Sequence, residues 1–399
     1  MDYAVVCPAA GTEAELVAAS AHPPFCEDAL ACIDALSKEI LSSPGSKAFP
    51  ELVAMAFWMR RANITGLKEE YYTPHGVRQP RGIIFHIAPS NVDTIFVYSL
   101  FVSLLMGNKN IVRVSSTTNA QIDFLLEVMN KVLTRFDAVR RSLLIVRYEH
   151  DETITSHFSQ LCSMRVIWGG DETIRQIREV GLPPGAHEIT FADKFSLCVM
   201  RAEAFLESSD KQSLIDAFYN DAFWFSQNAC SSPRLVVWVG DANDAVARAR
   251  DEFWSMMHGK AERQALEWEP GAVMEKTISQ YASAFMREDC KIEAGPSNLI
   301  SRVFFESVEA IVREDHCGCG LFWETALPSL TDLVPVVGKK DQTMTAFGFS
   351  PDELKSFASD TALQGIDRIV PVGKALEFSV IWDGYNLFEE FSREVDIQL

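Results

Sequence analysis

One cysteine in the chain lies where a nucleophilic thiol would be expected. Residues 218–225 form an aromatic-rich, helix-like stretch, and a strand-like run begins at Leu235. Cys230 lies in the short polar turn between them. A turn at the end of an element exposes a thiol and aims backbone N–H groups at it, which favours the reactive thiolate. The alternative is a buried structural cysteine, and only the rest of the chain decides between the two.

Composition and charge restrict the class of partner. The chain has 399 residues, of which 48% are hydrophobic and 23% charged, as in ordinary globular proteins. Its net charge of −19 would repel phosphate backbones, so nucleic acid is not expected as a partner. An anionic cofactor therefore needs a local cation or a helix N-terminus.

Cysteine usage and apolar runs bear on the compartment. The nine cysteines are odd in number and scattered, and the first residues lack the pattern of a secretion signal. The longest apolar run, residues 94–106, is too short to cross a bilayer. These features predict reduced thiols, a cytoplasmic location and no membrane span.

Strand-like and helix-like segments alternate along the chain, which predicts parallel, doubly wound α/β sheets in two domains. The first set of predicted strands covers residues 83–87, 111–114, 143–146 and 164–168. A second set covers residues 196–200, 234–239, 299–304, 333–337 and 367–370. Ligands of such sheets bind at the carboxyl ends of the strands.

Two of these strand ends carry residues that suit a phosphorylated ligand. Gly169 and Gly170 follow one strand and open a helix, which indicates either a phosphate site or a plain tight turn capped by Asp171. Arg113 ends another strand and precedes hydroxyl residues 115–118, which indicate either a phosphoribose site or a loop that caps the next helix. The G-x-G-x-x-G fingerprint of ordinary dinucleotide-binding folds is missing.

Two other polar positions suggest chemistry but have simpler interpretations. His316, Cys317 and Cys319 have no matching second cluster of ligands, so a zinc site is not expected. His86 lies in an apolar strand and is interpreted as a core histidine with satisfied hydrogen bonds rather than a catalytic base.

Four segments from residue 87 onward carry a family resemblance. They are residues 87–92 (Ile-Ala-Pro-Ser-Asn-Val) with 107–115, Gly169 to Glu172, residues 227–230 (Gln-Asn-Ala-Cys) and residues 324–328 (Glu-Thr-Ala-Leu-Pro). Together they resemble the aldehyde dehydrogenase superfamily. The closing segment, residues 370–385, resembles the LuxC-like long-chain acyl-CoA reductases of bacterial luminescence systems.

The resemblance implies a role for each segment. Cys230 would be the nucleophile, and Asn91 would help to form the oxyanion hole. Arg113, Ser115, Ser116 and Thr117 would hold the adenosine ribose, Gly169 and Gly170 the diphosphate, and Glu324 the nicotinamide ribose. The Phe and Gly of the family's Glu-x-Phe-Gly-Pro motif are absent after Glu324.

Departures from the family pattern imply reduction and NADPH. Where oxidising members carry a base that activates water, Thr190 stands here if Lys194 is the anchor of that segment, although Glu188 is close by. A thioester reductase needs no such base. Ser116 stands where NAD-preferring members carry Glu, and losing that carboxylate removes repulsion against a 2′-phosphate.

The expected fold is therefore two doubly wound α/β domains of the aldehyde dehydrogenase type, with the active site between them and a C-terminal oligomerisation segment. Residues 1–192 would bind NADPH, residues 370–399 would return to that domain, and residues 193–369 would carry Cys230. The extended stretches near 66–80 and 379–397 would pair across a dimer.

The expected activity is NADPH-dependent reduction of a fatty acyl thioester, either acyl-CoA or an acylated partner protein, to a fatty aldehyde. The alternatives are acyl transfer or hydrolysis at Cys230 without redox chemistry, and a degenerate scaffold that only binds.

Overall fold

The computed structural model describes residues 2–88, 95–117, 119–240, 243–286, 288–293, 295–307 and 313–398. The chain divides into two compact units. Unit 1 comprises Met1–Asp193 together with Phe378–Leu399, and unit 2 comprises Lys194–Glu377. Residues 370–377, expected with the first domain, thus lie in unit 2.

The helices follow in chain order. They are α1 Glu13–Ala18, α2 Glu27–Ser42, α3 Pro50–Trp58, α4 Arg61–Tyr71, α5 Ile95–Leu105, α6 Ala120–Leu133, α7 Asp137–Arg141, α8 Glu152–Leu161, α9 Asp171–Glu179, α10 Ala202–Glu207, α11 Lys211–Phe223, α12 Asn243–Arg263, α13 Pro270–Met286, α14 Pro351–Ala358 and α15 Leu387–Glu390. Within the described part of the chain, no helix is long and apolar enough to cross a bilayer.

The strands follow in the same way. They are β1 Ala4–Cys7, β2 Val77–Pro80, β3 Ile83–Ile87, β4 Lys109–Val114, β5 Leu143–Arg147, β6 Met164–Trp168, β7 His187–Phe191, β8 Phe195–Arg201, β9 Pro233–Val239, β10 Cys290–Glu293, β11 Ser301–Phe305, β12 Leu321–Leu327, β13 Asp341–Phe347, β14 Arg368–Pro371, β15 Ile381–Trp382, β16 Tyr385–Asn386 and β17 Ser392–Val395.

Unit 1 is built on a six-stranded sheet in the order β1-β5-β4-β3-β6-β7. All neighbouring pairs are parallel except β1 with β5. The apolar runs of β3 and β6 are buried along their whole length, because helices cover both faces of such a sheet. The alternation of strands and helices in the sequence correctly predicted this architecture.

Unit 2 is built on a seven-stranded sheet in the order β10-β11-β12-β9-β8-β13-β14, with only β10 antiparallel to its neighbour. One apolar cluster on this sheet includes Leu197, Leu235 and Trp323. Another includes Cys198, Trp238 and Phe322, with Phe218 of α11 and Trp254 of α12. Successive residues of β8, β9 and β12 thus alternate between two buried faces.

Two of the predicted elements were wrong. Residues 333–337 form no strand, because a 3-10 helix at Leu330–Leu333 and a turn occupy the segment. The strand is instead β13, which was missed because its Asp, Gln and Thr residues look like surface. Residues 66–71, expected to be extended, belong to α4.

The C-terminal strand β17 pairs antiparallel with β2, joining Ser392 to Pro80 and Val395 to Val77 in one chain. The sequence analysis expected these stretches to pair across a dimer. In the structure they pair with each other within the chain.

Candidate active site

Cys230 lies between the end of α11 at Phe223 and the start of β9 at Pro233. We call residues 224–232 the nucleophile loop. Cys230 is partly exposed and is not in a disulfide. Ser226 and Gln227 adopt left-handed backbone conformations with φ of 52° and 63°. Non-glycine residues in this region cost about 1–3 kcal/mol each and gather at functional sites.

Gln227 fixes the base of the nucleophile loop. Its side chain is fully buried, and its amide nitrogen donates to the carbonyls of Pro233 (3.0 Å) and Leu321 (2.9 Å). Its amide oxygen accepts from the N–H of Gly320 at 2.8 Å. The loop is therefore fastened both to β9 and to the turn that leads into β12.

That second turn, residues 316–320, packs directly on the nucleophile loop. Gly318, Cys319 and Gly320 all have positive φ, of 73°, 54° and 78°. A Cβ on Gly318 would lie 3.3 Å from the carbonyl oxygen of Gln227, so glycine allows the close approach as well as the backbone conformation. The sequence showed these residues only as a doubtful metal motif.

His316 in this turn makes contacts within unit 2. Nδ1 of His316 accepts from the N–H of Gly318 at 3.0 Å, and its ring packs edge-on against Trp323. Burial holds the pKa of His316 well below its usual value, so the ring is neutral. Among the residues that the structure describes, no group of three or more His, Cys, Asp and Glu is placed to hold a metal ion.

Ser196 on β8 holds the backbone of Cys230 itself. Its hydroxyl donates to the carbonyl oxygen of Cys230 at 2.6 Å and accepts from the N–H of Thr343 at 3.2 Å. The side chain of Ser196 is fully buried. Sequence reasoning missed both Ser196 and the clamp made by Gln227, because neither carries a reactive group.

Other cysteines are poorer candidates for the nucleophile. Burial raises the pKa of Cys198 to about 12 and that of Cys317 to about 11. Thiols with such pKa values remain protonated and unreactive near neutral pH.

Arg113 lies near the carboxyl end of β4, where the sequence placed it. Arg113 is 8% exposed, and its guanidinium lies 5.0 Å from the ring centre of Tyr148. Its Nε is buried without a hydrogen-bond partner, and among the described residues no carboxylate pairs with it. Burial lowers the pKa of Arg113 from its usual value, yet an arginine stays charged.

The hydroxyl residues after Arg113 lie at the surface. Ser116 and Thr117 are exposed, and the Ser115 hydroxyl accepts from the N–H of Thr117 at 3.2 Å. Asn119 caps α6 in their place, accepting from the N–H groups of Gln121 and Ile122. The alternative in which these hydroxyls cap the helix is therefore wrong for residues 115–117.

Gly169 and Gly170 do open a helix, with Gly170 as the N-cap of α9. The carboxylate of Asp193 faces this helix start, with Oδ2 at 3.4 Å from the N–H of Asp171. A Cβ on Gly170 would lie 2.9 Å from the same oxygen. A diphosphate in direct contact with this helix start would meet the Asp193 carboxylate, which argues against the phosphate site predicted at Gly169 and Gly170.

Glu324, the predicted contact of the nicotinamide ribose, lies in the interior of unit 2. Its carboxylate is fully buried and accepts from the indole N–H groups of Trp238 and Trp254 at 3.1 and 2.7 Å. Arg250 and Arg302 also donate to it, Arg302 at 3.1 Å. Both oxygens are therefore occupied inside unit 2, which argues against the predicted contact of Glu324 with a nicotinamide ribose. The Glu-to-Pro spacing matched the family motif, but the side chain faces the interior.

The family model for acyl-CoA reductase (LuxC) matches residues 67–394 of the chain. The chain therefore belongs to the acyl-CoA reductase (LuxC) family. This confirms the resemblance drawn from residues 87–92, 227–230 and the closing segment.

Curated relatives support this family assignment. The chain is 27% identical over 301 residues to the long-chain acyl-protein thioester reductase of Photorhabdus laumondii, which covers 74% of this chain and 58% of that protein. It is 26% identical over 169 residues to the long-chain acyl-protein thioester reductase of Aliivibrio fischeri, covering 41% of this chain and 33% of that protein. The chain thus spans only part of the length of these relatives.

Solved structures resemble the fold of this LuxC-family chain. Aldehyde dehydrogenase 21 from Physcomitrella patens superposes with a TM-score of 0.65 at 10% identity, covering 97% of this chain and 88% of that one. The expectation of an α/β fold of the aldehyde dehydrogenase type is confirmed.

The structure also bears on the water-activating position in this LuxC-family chain. The carboxylate of Glu188 accepts from Arg165 at 2.7 Å and from Arg178 at 2.8 Å. Glu188 is thus held in ion pairs, and Thr190, on the same face of β7, has no acidic group. Asn91, the expected oxyanion-hole residue, lies outside the described residues.

Proposed function

We propose that this protein reduces a fatty acyl thioester to a fatty aldehyde with NADPH, through an acyl group held on Cys230. The observation that carries the proposal is the position of Cys230 in a strained, clamped loop within a chain of the acyl-CoA reductase (LuxC) family. The thioester donor is acyl-CoA, as the description of the family suggests, or an acylated protein, as the names of the curated relatives suggest.

The first half of the reaction is transfer of the acyl group to the thiol. The Cys230 thiolate attacks the acyl carbonyl carbon, and the donor's thiolate leaves with the electron pair of the broken carbon–sulfur bond. The N–H of Cys230 and the side chain of Asn91 would stabilise the oxyanion, at about 3–4 kcal/mol per donor in comparable sites.

The second half reduces the acyl group while it is bound to Cys230. When bound, NADPH supplies a hydride. The resulting thiohemiacetal on Cys230 then collapses, which releases the aldehyde and returns the thiolate. The protein therefore has to exclude water from an acyl-cysteine that would otherwise hydrolyse.

Arg113 supports the choice of NADPH. A guanidinium that is mostly buried, with an unpartnered Nε and no carboxylate within the described residues, suits an anionic ligand group. Ser116 and Thr117 lie at the surface after it and add no negative charge. These residues would hold the 2′-phosphate and the adenosine ribose.

Glu188 favours reduction over hydrolysis. Hydrolysis of the acyl-cysteine requires a base that activates water. Arg165 and Arg178 hold the Glu188 carboxylate in hydrogen-bonded ion pairs, so it is not available to activate water, and Thr190 has no acidic group. Acyl transfer to water is therefore the weaker candidate.

The test is to incubate the protein with a long-chain acyl-CoA and follow the mass of Cys230-containing peptides. Without NADPH, one acyl adduct should form on Cys230, and adding NADPH should remove it with release of aldehyde. Cys230→Ser should form no adduct and consume no NADPH, while Cys26→Ser, another partly exposed thiol, should behave as wild type. An adduct on Cys198 or Cys317, or release of free acid without NADPH, would contradict the proposal.

A further inference from the structure

Ser196 lies where the sheet of unit 2 is irregular on both sides. The register between β8 and β9 shifts between Ser196 and Leu197, and the register between β8 and β13 shifts between Asp341 and Met344. Bulges of this kind gather beside active sites, where they re-aim side chains or backbone groups. Here both register shifts lie beside the buried hydroxyl of Ser196.

That hydroxyl connects two strands, β8 and β13, to the nucleophile loop. The irregularity in β13 leaves the N–H of Thr343 to donate to the Ser196 hydroxyl at 3.2 Å. The hydroxyl then donates its own hydrogen to the Cys230 carbonyl at 2.6 Å. Pro233, which pairs with Ser196 in the register, has no backbone N–H and cannot donate a hydrogen bond to β8.

Gln227 restrains the same loop from its other side. Its amide uses both kinds of hydrogen-bonding group, donating to Pro233 and Leu321 and accepting from Gly320. The loop is thus held three residues before Cys230 by Gln227 and at Cys230 itself by Ser196.

We propose that Ser196, assisted by Gln227, is a positioning residue for Cys230. Fixing the Cys230 carbonyl fixes the peptide plane that follows it, and with it the direction of the thiol relative to the substrate carbonyl. Ser196 acts through the backbone and touches neither substrate nor cofactor. This inference rests on the proposed function, and it adds the residues that set the geometry of attack.

The experiment measures two reactions of Cys230 that differ in their need for geometry. Acyl transfer from acyl-CoA requires a defined approach of the thiol, and misplacing a reacting group by about 1 Å can cost roughly 100-fold. Alkylation by iodoacetamide requires only an accessible thiol. Both rates are measured by mass spectrometry of the Cys230 peptide, on folded protein whose Tm is recorded.

Ser196→Ala should slow acyl transfer about 10- to 100-fold and should speed alkylation, because a loosened loop leaves the thiol more accessible. Ser196→Thr keeps the hydroxyl and should restore acyl transfer. The matched control is Ser37→Ala, since Ser37 is also buried and donates to a carbonyl at 2.6 Å, but in unit 1. If Ser196→Ala does not fold, Gln227→Met removes the other restraint and carries the same expectation.

The other outcomes are equally decisive. If both rates in Ser196→Ala equal those of wild type, or if both fall by the same factor, positioning is wrong. If wild type takes up no acyl group, the proposed function fails by itself. Alkylation then still tests the inference: it should be faster in Ser196→Ala than in wild type and Ser37→Ala, and equal rates would overturn it.

Discussion

Two buried charges, Arg113 in unit 1 and Glu324 in unit 2, have opposite surroundings. The Glu324 carboxylate is enclosed by two guanidinium groups and two indole N–H groups. The Arg113 guanidinium lies over an aromatic ring, and its Nε has no partner. Burying a charge is costly unless it is paired and hydrogen-bonded.

The surroundings of a buried charge indicate whether it stabilises the fold or is available to a ligand. A buried carboxylate whose oxygens are all occupied stabilises the elements that surround it and has nothing left for a ligand. A buried cation without an anion in the described part of the protein costs stability, which the protein recovers when an anionic ligand binds. The family motif pointed to both residues, and only their surroundings distinguish them.

The largest expected effect is on stability. Glu324→Gln removes the carboxylate that Arg250 and Arg302 share and leaves Arg250 only its 3.4 Å pair with Glu293, so the free energy of unfolding should fall by about 3–5 kcal/mol. Arg113→Met removes an unpaired cation and should change it by no more than about 1 kcal/mol. Urea unfolding followed by circular dichroism measures the free energy of unfolding of both variants. An equal loss in the two would contradict the contrast between a paired and an unpaired buried charge.

His86 extends the comparison to a buried group that stays neutral. Its ring is fully buried between the Ser99 hydroxyl and the Asn110 amide oxygen, and burial lowers its pKa to about 4. These contacts confirm the interpretation of His86 as a core histidine. Between pH 6.5 and 4, His86 is protonated in the unfolded chain but stays neutral in the folded chain.

The stability contributed by His86 is therefore present above pH 6.5 and is lost as the pH falls towards 4, at roughly 1.4 kcal/mol per pH unit. The change His86→Gln should remove this slope. Urea unfolding of both proteins at pH 7, 6 and 5 measures it, and parallel pH curves would show that His86 is protonated when folded.

Arg113→Met should weaken NADPH binding about 10- to 100-fold, because a charge-assisted bond to the 2′-phosphate is lost. NADH binding should weaken less. Arg147→Met is the control, since Arg147 lies on the neighbouring strand β5 and already pairs with Asp123 at 2.9 Å. Fluorescence titration gives both Kd values, and an Arg113 variant that binds NADPH like wild type refutes the site.

The smallest expected effect is a change of preference. Ser116→Glu should weaken NADPH several-fold and spare NADH, because a carboxylate repels phosphate but accepts ribose hydroxyls. Ser116→Gln has the same shape without the charge and should leave the NADPH to NADH ratio near that of wild type. An unchanged ratio in Ser116→Glu would place the 2′-phosphate elsewhere.

The regular elements were the easiest to predict. Apolar runs such as Met164–Trp168 gave the strand β6 at its observed bounds, because a parallel strand is buried on both faces. The strand β13 was missed for the opposite reason. Its Asp341, Thr343 and Thr345 look exposed, yet all are fully buried, and Asp341 pairs with Arg313 at 2.9 Å.

In the candidate site, the sequence predicted the reactive group but not the residues that position it. The position of Cys230 in a turn could be seen in the sequence. The left-handed backbone at Gln227, the hydroxyl of Ser196 and the inward direction of Glu324 depend on tertiary contacts between strands far apart in the chain. Spacing in a motif fixes which residue is present but not the face on which it lies.

The pairing of β2 with β17 also affects how the protein is made. Unit 1 is discontinuous in sequence. The backbone groups of residues 77–80 can pair only after residues 392–395 have been synthesised. Unit 2 lies wholly between them, so a chain emerging from the ribosome completes the unit that carries Cys230 first. Unit 1 has its six-stranded sheet early but closes this last pairing late, since contacts far apart in sequence form slowly.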